Sequence, residues 1–127
     1  MAGLRSMFKR FSQECETADQ HQEEALQTHY YKATFDKVFE EVKRFYSSPA
    51  YSITSVSKEH GEIMVQKKSK PSMFLIVTVV SVRPFQTAVD IKASPEQMIV
   101  SGAYPLLKKE IESCYHMLGQ QLHLADK

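Results

Sequence analysis

The chain has no tryptophan, and only four glycines and two cysteines, in 127 residues. Cys15 and Cys114 lie far apart in sequence, which makes neither a disulfide framework nor a zinc series; reduced thiols in a cytosol are the default. An excess of one charge is also lacking. Sixteen Lys and Arg against 15 Asp and Glu leave a net charge of +1, so attraction to nucleic acid or anionic lipid would have to come from local patches. The longest apolar run, around Met73 to Val80, is far below the roughly 20 residues needed to span a bilayer. Arg5, Lys9 and Arg10 precede no apolar h-region, so no secretory signal is expected. Ala2 and the final Ala125-Asp126-Lys127 carry no lipidation signal. A nucleotide loop, a metal-ligand series and a nucleophile constellation are missing as well. The expectation is therefore a protein that is not an enzyme and uses no cofactor or metal.

What is present describes a globular domain. An apolar fraction of 43% and a charged fraction of 24% argue against a wholly disordered chain, and the length suits one hydrophobic core. The plainest signal is Met73 to Ala93, two β-branched runs joined by a short turn at Arg83, Pro84 and Phe85. Four strands are expected, Tyr51 to Val56, Glu62 to Lys68, Met73 to Val82 and Gln86 to Ala93, and their short connections imply an antiparallel meander. On the fourth, Thr87, Val89, Ile91 and Ala93 share one face, while Gln86, Asp90 and Lys92 share a solvated one. The third is apolar on both, with Phe74, Ile76, Val80 and Val82 on one side and Met73, Leu75, Val77 and Val79 on the other.

Before the strands, Thr34 is the expected N-cap of a helix whose stripe is Phe35, Val38, Phe39, Val42 and Phe45. Asp36 sits in its first turn, and Ser47, Ser48 and Pro49 stop it. After them, Pro95 ends the sheet and a long helix begins near Pro105, burying Leu107, Ile111, Cys114, Leu118 and Leu122 with Tyr115 alongside. Lys108, Lys109, Glu110 and Glu112 are assigned to its outer faces. Residues 1–28 are expected to be an amphipathic and polar segment, with Ser12 to Gln27 a linker or frayed helix, and residues 29–127 a single α+β domain. Its fold class is a four-stranded antiparallel meander with one helix before it and a long C-terminal helix packed on one face.

The series Tyr30-Tyr31-Lys32, Gly61-Glu62-Ile63, Val77-Thr78-Val79-Val80, Arg83-Pro84-Phe85 and Thr87-Ala88-Val89-Asp90 resembles a family of small uncharacterised cytosolic proteins from Gram-positive spore-forming bacteria. More distantly, the order helix, meander, helix is similar to a bacterial domain of unknown function. The resemblance covers nearly the whole chain and implies fold and cellular class, with no catalytic residue to carry over. The run Glu96-Gln97-Met98-Ile99-Val100 departs from the smoother approach to the last helix that it implies.

Three surfaces are candidates for function. With both helices on the other side of the sheet, Met73, Leu75, Val77 and Val79 would form an exposed interaction surface. Its cover would be the chain's own N-terminal segment, a second subunit, or a small apolar or lipid-like ligand held under the last helix, with Gly102 and the loop from Pro95 as a mouth. Lys58, Lys67, Lys68 and Lys70 would form a basic patch if the fold brings Lys58 near the others. No aromatic platform interleaves with these lysines, so nucleic acid is not the expected partner. Leu4, Met7, Phe8 and Phe11, with three basic neighbours, fall at helical spacing over residues 3–12. They suit packing on the domain itself, a partner's groove, or weak reversible attachment to an anionic membrane. Cys15, His21 and His29 match no zinc spacing, and Cys114 and His116 lie two apart on a helix, where they do not face each other. Asp90 is expected to be a lone exposed carboxylate. The expected function is a non-catalytic interaction or regulatory module of the bacterial cytosol, with an unknown protein or a second copy as partner.

Overall fold

The computed structural model describes residues 14–70, 72–96 and 103–125. In chain order the elements are β1 (Cys15–Glu16), a 3-10 turn (Glu24–Leu26), β2 (His29–Tyr31), α1 (Phe35–Phe45), β3 (Tyr51–Ser57), β4 (Glu62–Lys67), β5 (Met73–Arg83), β6 (Gln86–Pro95) and α2 (Tyr104–Gln121). The fold is α+β. Both helices start where local chemistry allows. The Thr34 hydroxyl accepts from the Lys37 backbone N–H at 3.2 Å, satisfying one of the four donors that a helix start leaves unpaired. Pro105 occupies the first turn of α2, where a missing N–H costs nothing.

The expected meander is present, with β3, β4, β5 and β6 paired in sequence order, all antiparallel. The sheet is larger than expected, however, with six strands among the described residues rather than four. β1 and β2 both pair with the far side of β6, which gives the order β1-β6-β5-β4-β3 with β2 beside β1 on β6. The polar stretch expected as a linker or frayed helix is therefore, from Glu14 onward, part of the body. Cys15 and Leu26 are core residues, and the Thr17 N–H donates to the Ile91 carbonyl at 2.9 Å. Local propensity could not signal these strands, because two and three residues form a strand only when an existing edge offers hydrogen bonds.

A second correction concerns which side of β5 is inside. Met73, Leu75, Val77 and Val79 are all buried, in one core with Ile63 and Val65 of β4 and with Val89, Ile91 and Ala93 of β6. Val38, Phe39 and Val42 of α1 and Leu107, Ile111, Cys114 and Leu118 of α2 complete that core, with α1 lying over β5 and α2 over β6. The set expected to be an open interaction surface is thus the floor beneath the helices. A slip in the β5–β6 hairpin decides this. Arg83 faces Gln86 across the turn, but Ser81 faces Thr87 and Val79 faces Val89, with an irregularity between Ser81 and Arg83. Continued without the slip, the turn's register would set Val80 opposite Val89 and Thr78 opposite Ile91, and every β5 side chain would change face.

Candidate functional site

The remaining face of the sheet carries no helix in the described residues. Its side chains follow from the register: Phe74 lies between Gln66 and Ser94, Ile76 between Met64 and Lys92, Thr78 between Glu62 and Asp90, and Val80 beside Ala88. Met64 is 40% exposed, Phe74 43% and Val80 49%. Beyond Thr78 β5 outruns β4, whose ladder ends at Glu62, while β2 still pairs with β6 as far as Thr87, so the tip of the β5–β6 hairpin past Ser81 projects beyond its neighbours. Val82 is exposed on this projection, and Phe85 at its turn is 71% exposed. Pro84, with its fixed φ, and Phe85 make up the two-residue turn between Arg83 and Gln86. Charges lie around this apolar set: Lys92 pairs with Glu14 at 3.2 Å, and Glu62 and Arg83 are exposed.

Most of the buried carboxylates inside the molecule are engaged by neighbouring donors. Glu110, expected on an outer face of the last helix, is only 6% exposed. Its carboxylate accepts from Lys67 Nζ at 2.8 Å and from the Tyr51 hydroxyl. Burial, followed by the hydrogen bond to Glu110, raises the Tyr51 pKa. Tyr46, fully buried beside Cys114, Glu110 and Tyr51, makes no hydrogen bond of good geometry through its hydroxyl, and burial holds that hydroxyl well above its ordinary pKa. Burial also pushes the Cys114 thiol up to about 12, which leaves it protonated and unreactive at neutral pH. In the first turns of α2, Glu23 accepts from the Tyr104 hydroxyl at 3.1 Å and pairs with Lys108 at 2.6 Å. This clamps the 3-10 turn segment to the helix.

Asp90 is a correction as well. It is half-buried and accepts from the hydroxyls of Thr17 and Thr28 at 2.7 and 2.6 Å. It thereby ties both ends of the segment between β1 and β2 to β6. His29 stacks on Tyr115 with ring centroids 3.6 Å apart and planes 9° from parallel, and burial lowers its pKa. Tyr115 in turn donates to the Val89 carbonyl at 2.7 Å.

The structure separates the expected basic patch. Lys58 lies in the β3–β4 turn and pairs with Asp36 at 3.1 Å. Lys67 is turned inward to Glu110, while Lys68 and Lys70 are exposed beyond the opposite end of β4. Six strand residues stand between the two groups, about 20 Å at the usual rise. Among the described residues no three His, Cys, Asp or Glu side chains are grouped as metal ligands, and no helix is long and apolar enough to cross a membrane. Leu4, Met7, Phe8 and Phe11, and the mouth at Gly102, lie outside the described residues.

Sequence reasoning named the wrong face of β5 and so missed Met64, Phe74, Val80, Val82 and Phe85 as a surface. The signal that could have found it was the strict alternation of β6, which marks Val89, Ile91 and Ala93 as inward. Only the hairpin register connects that alternation to β5.

No family model matches this chain, and no curated protein matches it. Among solved structures it is similar to the di-domain ARO/CYC BexL from the BE-7585A biosynthetic pathway, at 10% identity and a TM-score of 0.49, over 87% of this chain and 43% of that one. The chain thus spans less than half the length of that protein.

Proposed function

We propose that this protein is a non-catalytic interaction module of the bacterial cytosol that docks a partner protein on the outward sheet face, with the β5–β6 hairpin tip as the anchor. One observation carries the reading: Met64, Phe74, Val80, Val82 and Phe85 are all exposed on the outward side of the sheet and its hairpin tip. Single exposed apolar residues are ordinary, whereas a grouped set edged by charge is the composition of an interface centre and rim. Phe85 has the character of an anchor, a large side chain with few torsions to restrict on binding. The buried polar groups support a structural reading beside this one, since Glu110, Glu23 and Asp90 already accept the donors around them.

The test places a photo-crosslinking residue at position 85 in living cells and, as a control, at exposed Glu112 on α2. A discrete protein adduct is expected from position 85 only, and Val80→Asp should abolish it while leaving the melting temperature unchanged. No adduct at position 85, or one indifferent to Val80→Asp, would reject the outward face as the docking surface.

A further inference from the structure

The two edges of the sheet are finished differently. Along β6, the outer edge is taken up by β1 and β2. The far side of β2 is closed in turn by the chain's last described residues: Tyr31 bridges to Leu124, the Lys32 N–H donates to the His123 carbonyl at 2.7 Å, and the Ala125 N–H donates to the Tyr30 carbonyl at 2.7 Å. At the opposite edge β3 has β4 as its one strand neighbour among the described residues. An edge like this presents unpaired N–H and C=O groups, and natural sheets protect such edges with lysine, proline, β-bulges or short strands. β3 has seven residues, Tyr-Ser-Ile-Thr-Ser-Val-Ser, with no charge, proline or glycine among them. Its one protective feature is the register shift between Ile53 and Ser55. The other three meander strands all carry charge: Glu62 and Lys67 on β4, Arg83 on β5, Asp90 and Lys92 on β6.

We propose that β3 pairs antiparallel with β3 of a second copy across a two-fold axis, joining two sheets into one. Self-pairing is the arrangement that an uncharged edge suits. Across a two-fold axis a strand faces its own sequence, so any charge near the axis would meet its own kind. Hydroxyl and β-branched side chains meet without that cost, and Thr and Ser also make cross-strand hydrogen bonds. The flanks do not oppose the pairing: exposed Lys68 lies beside Ala50 at the start of β3, with its N–H on the Ala50 carbonyl at 2.9 Å, while the far end carries both signs, Lys58 paired with Asp36 and exposed Glu59. Val56, 45% exposed at this edge, would be covered.

Sedimentation equilibrium of the full chain over a wide concentration range tests the pairing. A monomer–dimer equilibrium is expected, weakened roughly tenfold or more by Ser55→Lys with Val56→Lys, since like charges set against each other cost more than one decade in affinity. Both positions are exposed, so the diluted variant should melt with the wild-type monomer. On the unmodified chain, hydrogen exchange of residues 51–57 should slow as concentration rises, while residues 81–86 stay unchanged. Val80→Asp, which tests the outward face, should leave the dimer intact, so the two readings fail separately. A monomer at every concentration, a dimer indifferent to the β3 lysines, or protection appearing at residues 81–86 instead would overturn the proposal.

Discussion

The two faces of β5 are made of alternate residues of one strand, and both are apolar. Met73, Leu75, Val77 and Val79 lie under α1 and α2 with almost no exposure, whereas Phe74, Val80 and Val82 look outward and stay accessible. Composition does not separate them: each set is as hydrophobic as a core strand requires. Cover separates them, and the helices among the described residues supply cover for one side. The comparison teaches that an apolar run states a need for burial without saying what will meet it.

Substitution can break the comparison directly. Val77→Asp would place an unpaired carboxylate in the core and should cost about 4–5 kcal/mol or more, much of the stability of an ordinary domain, whereas Val80→Asp should stay within about 0.5 kcal/mol. Urea denaturation followed by circular dichroism reads both, and equal losses would remove the distinction between the faces. Next in size is the ion pair on the inner side. Glu110→Ala leaves the largely buried Lys67 ammonium without its carboxylate, for a loss of about 3 kcal/mol, while Glu110→Leu combined with Lys67→Met should be close to neutral. A double variant as weak as the single one would mean that packing, and not the stranded charge, sets the effect.

Gly61 fixes where the β3–β4 turn meets the inner face. It holds a φ of 69° and its carbonyl accepts the Val79 N–H at 2.7 Å, while an added Cβ would sit 2.2 Å from the Val79 carbonyl oxygen. Gly61→Ala should cost more than about 1 kcal/mol, because the left-handed backbone and the close approach both penalise a side chain. A melting temperature equal to that of wild type would show that the turn can move.

The smallest effect sharpens the comparison through pH. Burial depresses the pKa of His29 below its ordinary 6.5, so around that pH the unfolded chain binds more protons than the folded one. The contribution is intact above the unfolded value and is lost as pH falls through it toward the lower folded value. His29→Phe, which keeps a ring on Tyr115, should flatten the fall in urea midpoint between about pH 7.5 and 5.5. Identical acid slopes in the two proteins would assign that fall to other groups.

Most of the meander was legible because its signals are local. The β3 to β6 boundaries are read to within one or two residues from β-branched runs and from the Gly and Pro that punctuate them, and α1 follows from Thr34 and its apolar spacing. The buried stripe of α2 was equally plain. Glu110 was not, since a glutamate on a helix reads as solvent-facing until Lys67 and Tyr51 arrive from strands 43 and 59 residues away in sequence. The polar segment before α1 was misread for a related reason: Thr17 and Thr28 become ordered on Asp90, a residue of the last strand.

By itself the sequence determined which segments would extend and which would coil, where they would stop, and that β5 would need cover on both sides, because periodicity, capping and turn chemistry act within a few residues. The tertiary structure alone decided which side of β5 the helices take, that β1 and β2 exist, and that β3 has β4 as its one strand neighbour among the described residues. A one-residue slip beside Arg83 exchanges the two faces of a strand apolar on both, and a short strand has no stability until a neighbouring edge accepts its hydrogen bonds.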